Sequence, residues 1–356
     1  MNNARTRALA LRDQFVAAGA QVVDPPVLQS AELLLDLYGE DIRARAYVTS
    51  DAMRGEQMLR PDFTVPVVQM HMAHGADPAR YTYAGEVFRR QEEDPDRPSE
   101  YLQVGYEVFD RTDPAAADAE VFSLISQSVA PLALRAATGD IGILMAAVEG
   151  LKTSDRRKAA LRRHIWRPRR FRALLDRFGG RVPVPESRQA LVAGRPALVA
   201  PLTGLRTQSE IDARIEALAV DAAEGPISGA EMEGLDALLS VRETLPFALS
   251  QLHDLTVDLP AIKSAVARVD ARADALAARG VDVDALEFEA SFGRTSMEYY
   301  DGFVFGFYAE SRPDLPPVAT GGRYDALTRR LGGGAEIPAV GAVLRPDLMA
   351  LLEGSQ

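Results

Sequence analysis

A glutamine and a glutamate flanking a glycine are the residues in this chain best placed to do chemistry. In EYLQVGYEVFD, residues 100 to 110, Tyr101, Gln103, Gly105, Glu107 and Phe109 alternate with Leu102, Val104, Tyr106 and Val108. Successive side chains of a strand point to opposite faces, so the amide and the carboxylate share one face while apolar groups take the other. A carboxylate turned toward a core is costly without a partner, and the side-chain-free Gly105 leaves room between the two polar groups. That face is therefore either a floor for a small polar ligand or the wet side of an amphipathic hairpin. On the preceding stretch, YTYAGEVFRRQ from Tyr81, Gly85 and Arg89 share a face as well.

The elements that must hold these residues follow from pattern. Residues 81 to 110 form a hairpin with a long polar loop, and AYVTSDAMRGEQMLRPDFT, 46 to 64, reads as two strands around a glycine turn followed by a helix over about 65 to 73. Leu9, Leu11, Phe15 and Val16 mark a helix over 4 to 18 that Gly19 ends. Pro25 and Pro26 stop any helix before Ser30, which is suited to cap the next one. A further helix is expected over 118 to 134. The clearest runs from 258 to 280 with Pro260 near its start and Gly280 at its end. LEFEASF, 286 to 292, and GFVFGFYAE, 302 to 310, read as strands. Hairpins and long excursions with few βα repeats indicate an α+β fold with a mainly antiparallel sheet flanked by helices.

Between 152 and 250 the strand signals vanish and arginine and alanine dominate, so three parts are expected: a first core segment over 1 to 150, an inserted helical module over 151 to 250, and a second core segment over 251 to 356. The run RRKAALRRHIWRPRRFRALLDRF gathers Arg156, Arg157, Lys158, Arg162, Arg163, Arg167, Arg169, Arg170 and Arg172. Such a run either binds RNA or an acidic partner, or is a solvated helical face paired with local carboxylates.

Composition narrows the choice. With 51 acidic against 40 basic residues the net charge is −11, which repels polyanions and makes nucleic acid a poor partner. There is no cysteine, which excludes disulfides, thiol nucleophiles and thiolate metal sites. His71 and His74 lie one helical turn apart, with no nearby carboxylate at ligand spacing, so they are taken as surface or packing residues and no metal is expected. No apolar run reaches the roughly 18 residues of a membrane span, and the N-terminus lacks a signal-peptide pattern, so a cytoplasmic location is expected.

GEVFRRQ followed by a polar loop and EYLQVGYEVFD resembles motif 2 of class II aminoacyl-tRNA synthetases, and within them the histidyl-tRNA synthetase group. LRPDFT at 59 to 64, MEYYDGFVF at 297 to 305 and GGRYDAL at 321 to 327 resemble that group's other signatures, in the right order. The resemblance implies a class II synthetase-like core and a homodimer built through residues 21 to 39. It implies a histidine-like pocket from Asp62, Thr64, Arg89, Gln103, Glu107, Tyr299, Tyr300, Gly321, Gly322 and Tyr324, with Asp62 standing for a glutamate and the two glycines admitting close backbone approach. Arg89 matches the arginine that contacts the α-phosphate, and Arg97 falls where the loop arginine belongs.

Activation of an amino acid also needs fixed cations aimed at the developing phosphate charge. Here the chain departs from the group: Thr295 replaces the catalytic arginine, with Arg294 beside it expected on the opposite face. Leu348 replaces the last signature's arginine in PAVGAVLRPDLM, and Pro346 is expected to disrupt the start of that helix. Ending at Gln356, the chain has no room for the group's anticodon-binding domain. In this it resembles the family of ATP phosphoribosyltransferase regulatory subunits. That resemblance implies no catalysis and no cofactor, a short-form catalytic subunit as partner in a hetero-octamer, activation on assembly, and a part in histidine feedback. The alternatives are a degenerate synthetase that still activates an amino acid and an RNA-binding module using the 156 to 172 cluster.

Overall fold

The computed structural model describes residues 2–38, 42–91, 97–194, 204, 206–294 and 299–354. In chain order their strands are β1 (Gln21–Val22), β2 (Leu28–Ser30), β3 (Val48–Asp51), β4 (Gly55–Leu59), β5 (Ala79–Phe88), β6 (Glu100–Phe109), β7 (Arg135–Asp140), β8 (Arg242–Thr244), β9 (Glu287–Glu289), β10 (Phe303–Tyr308), β11 (Ala319–Arg323) and β12 (Ala339–Leu344). Nine of them form one sheet in the order β1-β5-β6-β12-β11-β10-β7-β9-β8, and β2-β4-β3 form a small second sheet. Pairing in the large sheet is antiparallel except at β1/β5 and β7/β9. The fold is therefore α+β with a mixed, mainly antiparallel sheet, as the hairpin pattern indicates.

Both faces of β6 are buried, which corrects the picture of a hairpin with one wet side. On one face Tyr106 meets Phe15 of the helix Asn2–Ala17, with ring centres 5.4 Å apart. The opposite face, carrying Gln103 and Glu107, lies under the helix Thr64–His74, whose first residue hydrogen-bonds Glu107. That helix is pinned further along by His71, which stacks on Phe109 at 3.8 Å and shares a hydrogen bond with the Tyr81 hydroxyl, a packing role. Two glycines make the centre of the sheet possible. A Cβ on Gly105 would sit 2.1 Å from the Tyr83 ring, and one on Gly341, opposite Glu107 in the β6/β12 register, would sit 1.5 Å from the Glu107 carboxylate.

The segment from 152 onward is helical, with helices Asp155–Arg163, Pro168–Phe178, Glu186–Ala193, Gln208–Ala223 and Gly229–Ser240. Two of these begin with reciprocal capping boxes, Thr207 with Glu210 and Ser228 with Glu231, which satisfy otherwise orphan N–H groups. Leu161, Phe171, Leu175 and Leu235 are buried and join the same hydrophobic core as the sheet. Strands are not wholly absent from this stretch, however: β8 lies inside it and pairs with β9 at the sheet edge, and the next helix, Leu245–Asp258, runs through residue 250. Three residues of mixed polarity carry no alternation to detect, and only the distant partner makes Arg242–Thr244 a strand.

Part of the arginine run is paired. Arg157 is buried with its Nε 2.7 Å from Asp221, Arg162 lies 3.1 Å from Glu149, and Arg172 and Arg181 share Asp236. Lys158 and Arg156 donate to the backbone carbonyls of Glu149 and Ala217.

Candidate functional site

Where β6, β11 and β12 pass beneath the start of the Thr64–His74 helix, they enclose a cavity of about 200 Å³. Asp62, Thr64, Arg89, Gln103, Tyr299 and Tyr300 line it, so six of the ten expected pocket residues are brought together. Asp62 sits at the N-terminus of that helix and accepts the Val65 N–H at 3.2 Å, a placement the helix dipole favours. Arg89 follows β5 directly, and its Nε donates to the Pro61 carbonyl at 2.7 Å, which ties it to the loop carrying Asp62. Gln103 is almost completely buried, and its Oε1 accepts no hydrogen bond among the described residues. Buried acceptors are normally satisfied, so an empty one facing a cavity calls for a donor from a ligand.

Glu107 stands behind this wall and is not part of it. Its carboxylate accepts from the Thr64 hydroxyl at 3.1 Å, the Tyr83 hydroxyl at 2.8 Å and the Tyr324 hydroxyl at 2.6 Å. Burial pushes its pKa up to about 7, with the three hydroxyls working the other way. Tyr324 is spent on this contact and also lies behind the cavity. Gly321 and Gly322 serve their own neighbours: a Cβ on Gly321 would meet the Phe305 ring at 2.4 Å, and one on Gly322 the Tyr300 ring at 2.6 Å. Gly322 thus lets Tyr300 lie flat on the sheet.

One lining residue escapes the family comparison. Arg345 enters the cavity from the end of β12, beside Gly341 and Val343. Its guanidinium carbon lies 4.8 Å from the centre of the Tyr101 ring, and that of Arg89 lies 6.0 Å from the same ring. Burial lowers the Arg345 pKa and the charges of Arg89 and Arg97 add to this, while Tyr101 and Asp347 work the other way. Among the described residues no carboxylate pairs with Arg345. The signal was present in sequence: Gly341, Val343 and Arg345 share a face by period two.

The expected disruption at Pro346 is corrected as well. Pro346 takes the first position of the helix Pro346–Glu353, where a missing N–H costs nothing, and Leu348 is buried in the core. Arg97 is exposed and reaches the Asp314 carbonyl at 3.4 Å. Thr295 lies outside the described residues. Arg294 turns away, its Nε donating to Ile165 at 2.8 Å and its guanidinium 4.8 Å from the Phe171 ring, and burial pushes its pKa down to about 10. It borders a neighbouring space of about 490 Å³ beneath the helical segment.

Three signature residues outside the cavity, Asp301, Arg323 and Asp325, join an ion network. Arg272 bridges Asp118 at 3.1 Å and Asp140 at 2.5 Å, and Arg323 bridges Asp118 at 2.7 Å and Asp325 at 3.0 Å. Asp301 accepts the N–H groups of Asp325 and Ala326, and burial together with the Asp325 charge pushes its pKa up to about 7.

Comparison with known proteins places this geometry. Residues 1–349 match the model of the family described as histidyl-tRNA synthetase. The chain is 31% identical to an ATP phosphoribosyltransferase regulatory subunit of Brucella ovis, over 98% of this chain and 97% of that one. Among solved structures, an ATP phosphoribosyltransferase regulatory subunit/histidyl-tRNA synthetase from Bacillus halodurans superposes with a TM-score of 0.68 at 21% identity, covering 99% of this chain and 79% of that chain. A histidyl-tRNA synthetase from Nostoc gives 0.66 at 15% identity, with coverages of 99% and 72%. At these identities the two structures establish the shared fold.

Proposed function

Because the chain belongs to the family of ATP phosphoribosyltransferase regulatory subunits, within the wider histidyl-tRNA synthetase family, we propose that its synthetase-like cavity senses free histidine on behalf of a catalytic partner. The chain is the regulatory, non-catalytic subunit of ATP phosphoribosyltransferase in histidine biosynthesis. The partner in this reading is a short-form catalytic subunit, assembled with a homodimer of this chain into a hetero-octamer in the cytoplasm. Residues 151 to 250 act as an inserted helical module whose outer face is available for docking.

The observation that carries the reading is the unfilled Gln103 Oε1 in a cavity that Arg89 and Arg345 also line. A ligand with an anion and a hydrogen-bond donor a few bonds apart answers both. The space of about 200 Å³ is smaller than the roughly 300–1,000 Å³ of a drug-sized site, which suits an amino acid. Regulation then follows from linkage: contact with this chain favours the active arrangement of the catalytic subunit, and histidine binds more tightly to the inhibited one.

The test is turnover of a short-form catalytic subunit with and without this chain and with and without histidine. Stimulation by the chain and reversal by histidine are expected. Co-elution of neither protein with the other and an unchanged rate would sink the reading. The pairing of Arg157, Arg162 and Arg172 with carboxylates weakens the RNA-binding alternative, which predicts a steep salt dependence in tRNA binding.

A further inference from the structure

We infer that Arg345, acting with Arg89, is the carboxylate clamp of the cavity, so that the site takes a free zwitterionic amino acid and rejects the same molecule without its carboxylate. The inference rests on the proposed histidine reading and names the residue that would set its specificity.

Three observations converge. First, two arginines share the cavity: Arg89 and Arg345 both lie beside the Tyr101 ring, and Gln103 lines the same space. Second, Arg345 has the aromatic face of Tyr101 beside it and no carboxylate partner among the described residues, although burial already disfavours its charged form. Asp347 offsets its charge from a distance but makes no ion pair with it. A partly desolvated guanidinium with no carboxylate in hydrogen-bond reach gains most from a planar anion presented from the open side, because its fork matches a carboxylate through paired hydrogen bonds. Third, Gln103 leaves a buried acceptor open in the same space, which fits the ammonium or ring N–H of the same ligand. An anion alone answers only Arg345, and a cation alone answers only Gln103. A zwitterion answers both. Arg345 also has Tyr101 as its ring neighbour, which leaves that aromatic face less open to a flat ring such as a nucleobase.

The backbone makes the placement firm. Arg345 is the last residue before a helix whose first position is Pro346, and its own N–H is bonded to the Val318 carbonyl at 2.9 Å. The side chain thus departs from a fixed point on β12 and needs no loop movement to reach the ligand.

Isothermal titration of the wild-type chain with L-histidine, with histidinol, in which a CH2OH group replaces the carboxylate, and with inorganic phosphate tests the clamp. Histidine should bind at least about 30-fold more tightly than histidinol, the scale of charge-assisted hydrogen bonds lost together, and phosphate should compete only weakly. In Arg345→Gln the preference should fall to a few-fold through loss of histidine affinity, with histidinol affinity unchanged. Arg345→Lys should recover part of it. Equal affinity for histidine and histidinol in the wild type, or an undiminished preference in a folded Arg345→Gln, overturns the clamp while leaving histidine sensing in place. Binding of neither amine overturns both readings. Phosphate binding stronger than histidine would show that the arginines serve a phosphate ligand and would also overturn the clamp.

Discussion

Two clusters of charge lie in the same half of this molecule and are built on opposite principles. In the network around Asp118, the guanidinium groups of Arg272 and Arg323 each sit between carboxylates, and all of these side chains except that of Asp325 are almost fully buried. In the cavity, Arg345 makes no ion pair among the described residues and Gln103 keeps an acceptor open. Both clusters draw on residues near the same signatures, for MEYYDGFVF supplies Tyr299 and Tyr300 to the cavity and Asp301 to the network, and GGRYDAL supplies Arg323 and Asp325. The difference teaches that a signature residue need not touch a ligand. Guanidinium and carboxylate groups paired with one another in the interior hold the fold, whereas an arginine without an ion pair beside an empty volume is left for something that arrives later.

The contrast can be broken by mutation, and the largest effect is expected in the network. Arg272→Ala strands Asp140 in the interior and leaves Asp118 to Arg323 alone, and should cost about 3–5 kcal/mol of stability, read as a lower urea midpoint with an unchanged slope. A cost below about 1 kcal/mol would mean that the pairs are solvated and that the distinction fails.

An intermediate effect is expected at Glu107, which belongs to neither cluster. Its folded pKa, about 7, lies above the ordinary value of 4.5. A carboxyl raised in this way contributes stability that is fully present below about pH 4.5 and is lost as pH rises through 7, because the unfolded chain releases its proton first. Unfolding midpoints of the wild type should therefore fall between pH 5 and pH 7.5, with this one group adding at most about 1.4 kcal/mol per pH unit. Glu107→Gln should remove that part of the slope. An identical slope in both proteins would show that Glu107 is ionised in the folded state throughout.

The smallest effect on stability is expected inside the cavity. Gln103→Leu removes an unsatisfied buried acceptor and should leave stability within about 1 kcal/mol of the wild type, while weakening histidine binding by about tenfold or more. Loss of stability comparable to Arg272→Ala would erase the contrast from the other side.

Much of this was legible in the sequence for physical reasons. The β5/β6 hairpin, the β3/β4 turn at Gly55 and the helix ending at Gly280 are local, and period two, period 3.6 and glycine punctuation report them directly. Asp62, Thr64, Arg89 and Gln103 fall in the cavity because short segments carry them there as units. Glu107 was harder. Its alternation with Gln103 suggested that it faces a ligand, but its hydroxyl partners come from Thr64 and from Tyr324, the latter 217 residues away, and only the folded chain brings them together. Arg345 was missed for the opposite reason. Alignment to a signature directed attention to Leu348, while the simpler rule of strand alternation from Gly341 already aimed Arg345 at the cavity.

The three hydroxyls on Glu107 have one more implication. Thr64 begins a helix above the cavity, Tyr83 lies in β5, and Tyr324 is followed directly by Asp325, the residue bonded to Arg323. A single carboxylate is thus the knot where the roof of the cavity and the edge of the ion network are fastened. An occupant that displaces Thr64 must pull on the same oxygen that Tyr83 holds, and the strain reaches Tyr324 through one side chain, with no long relay between.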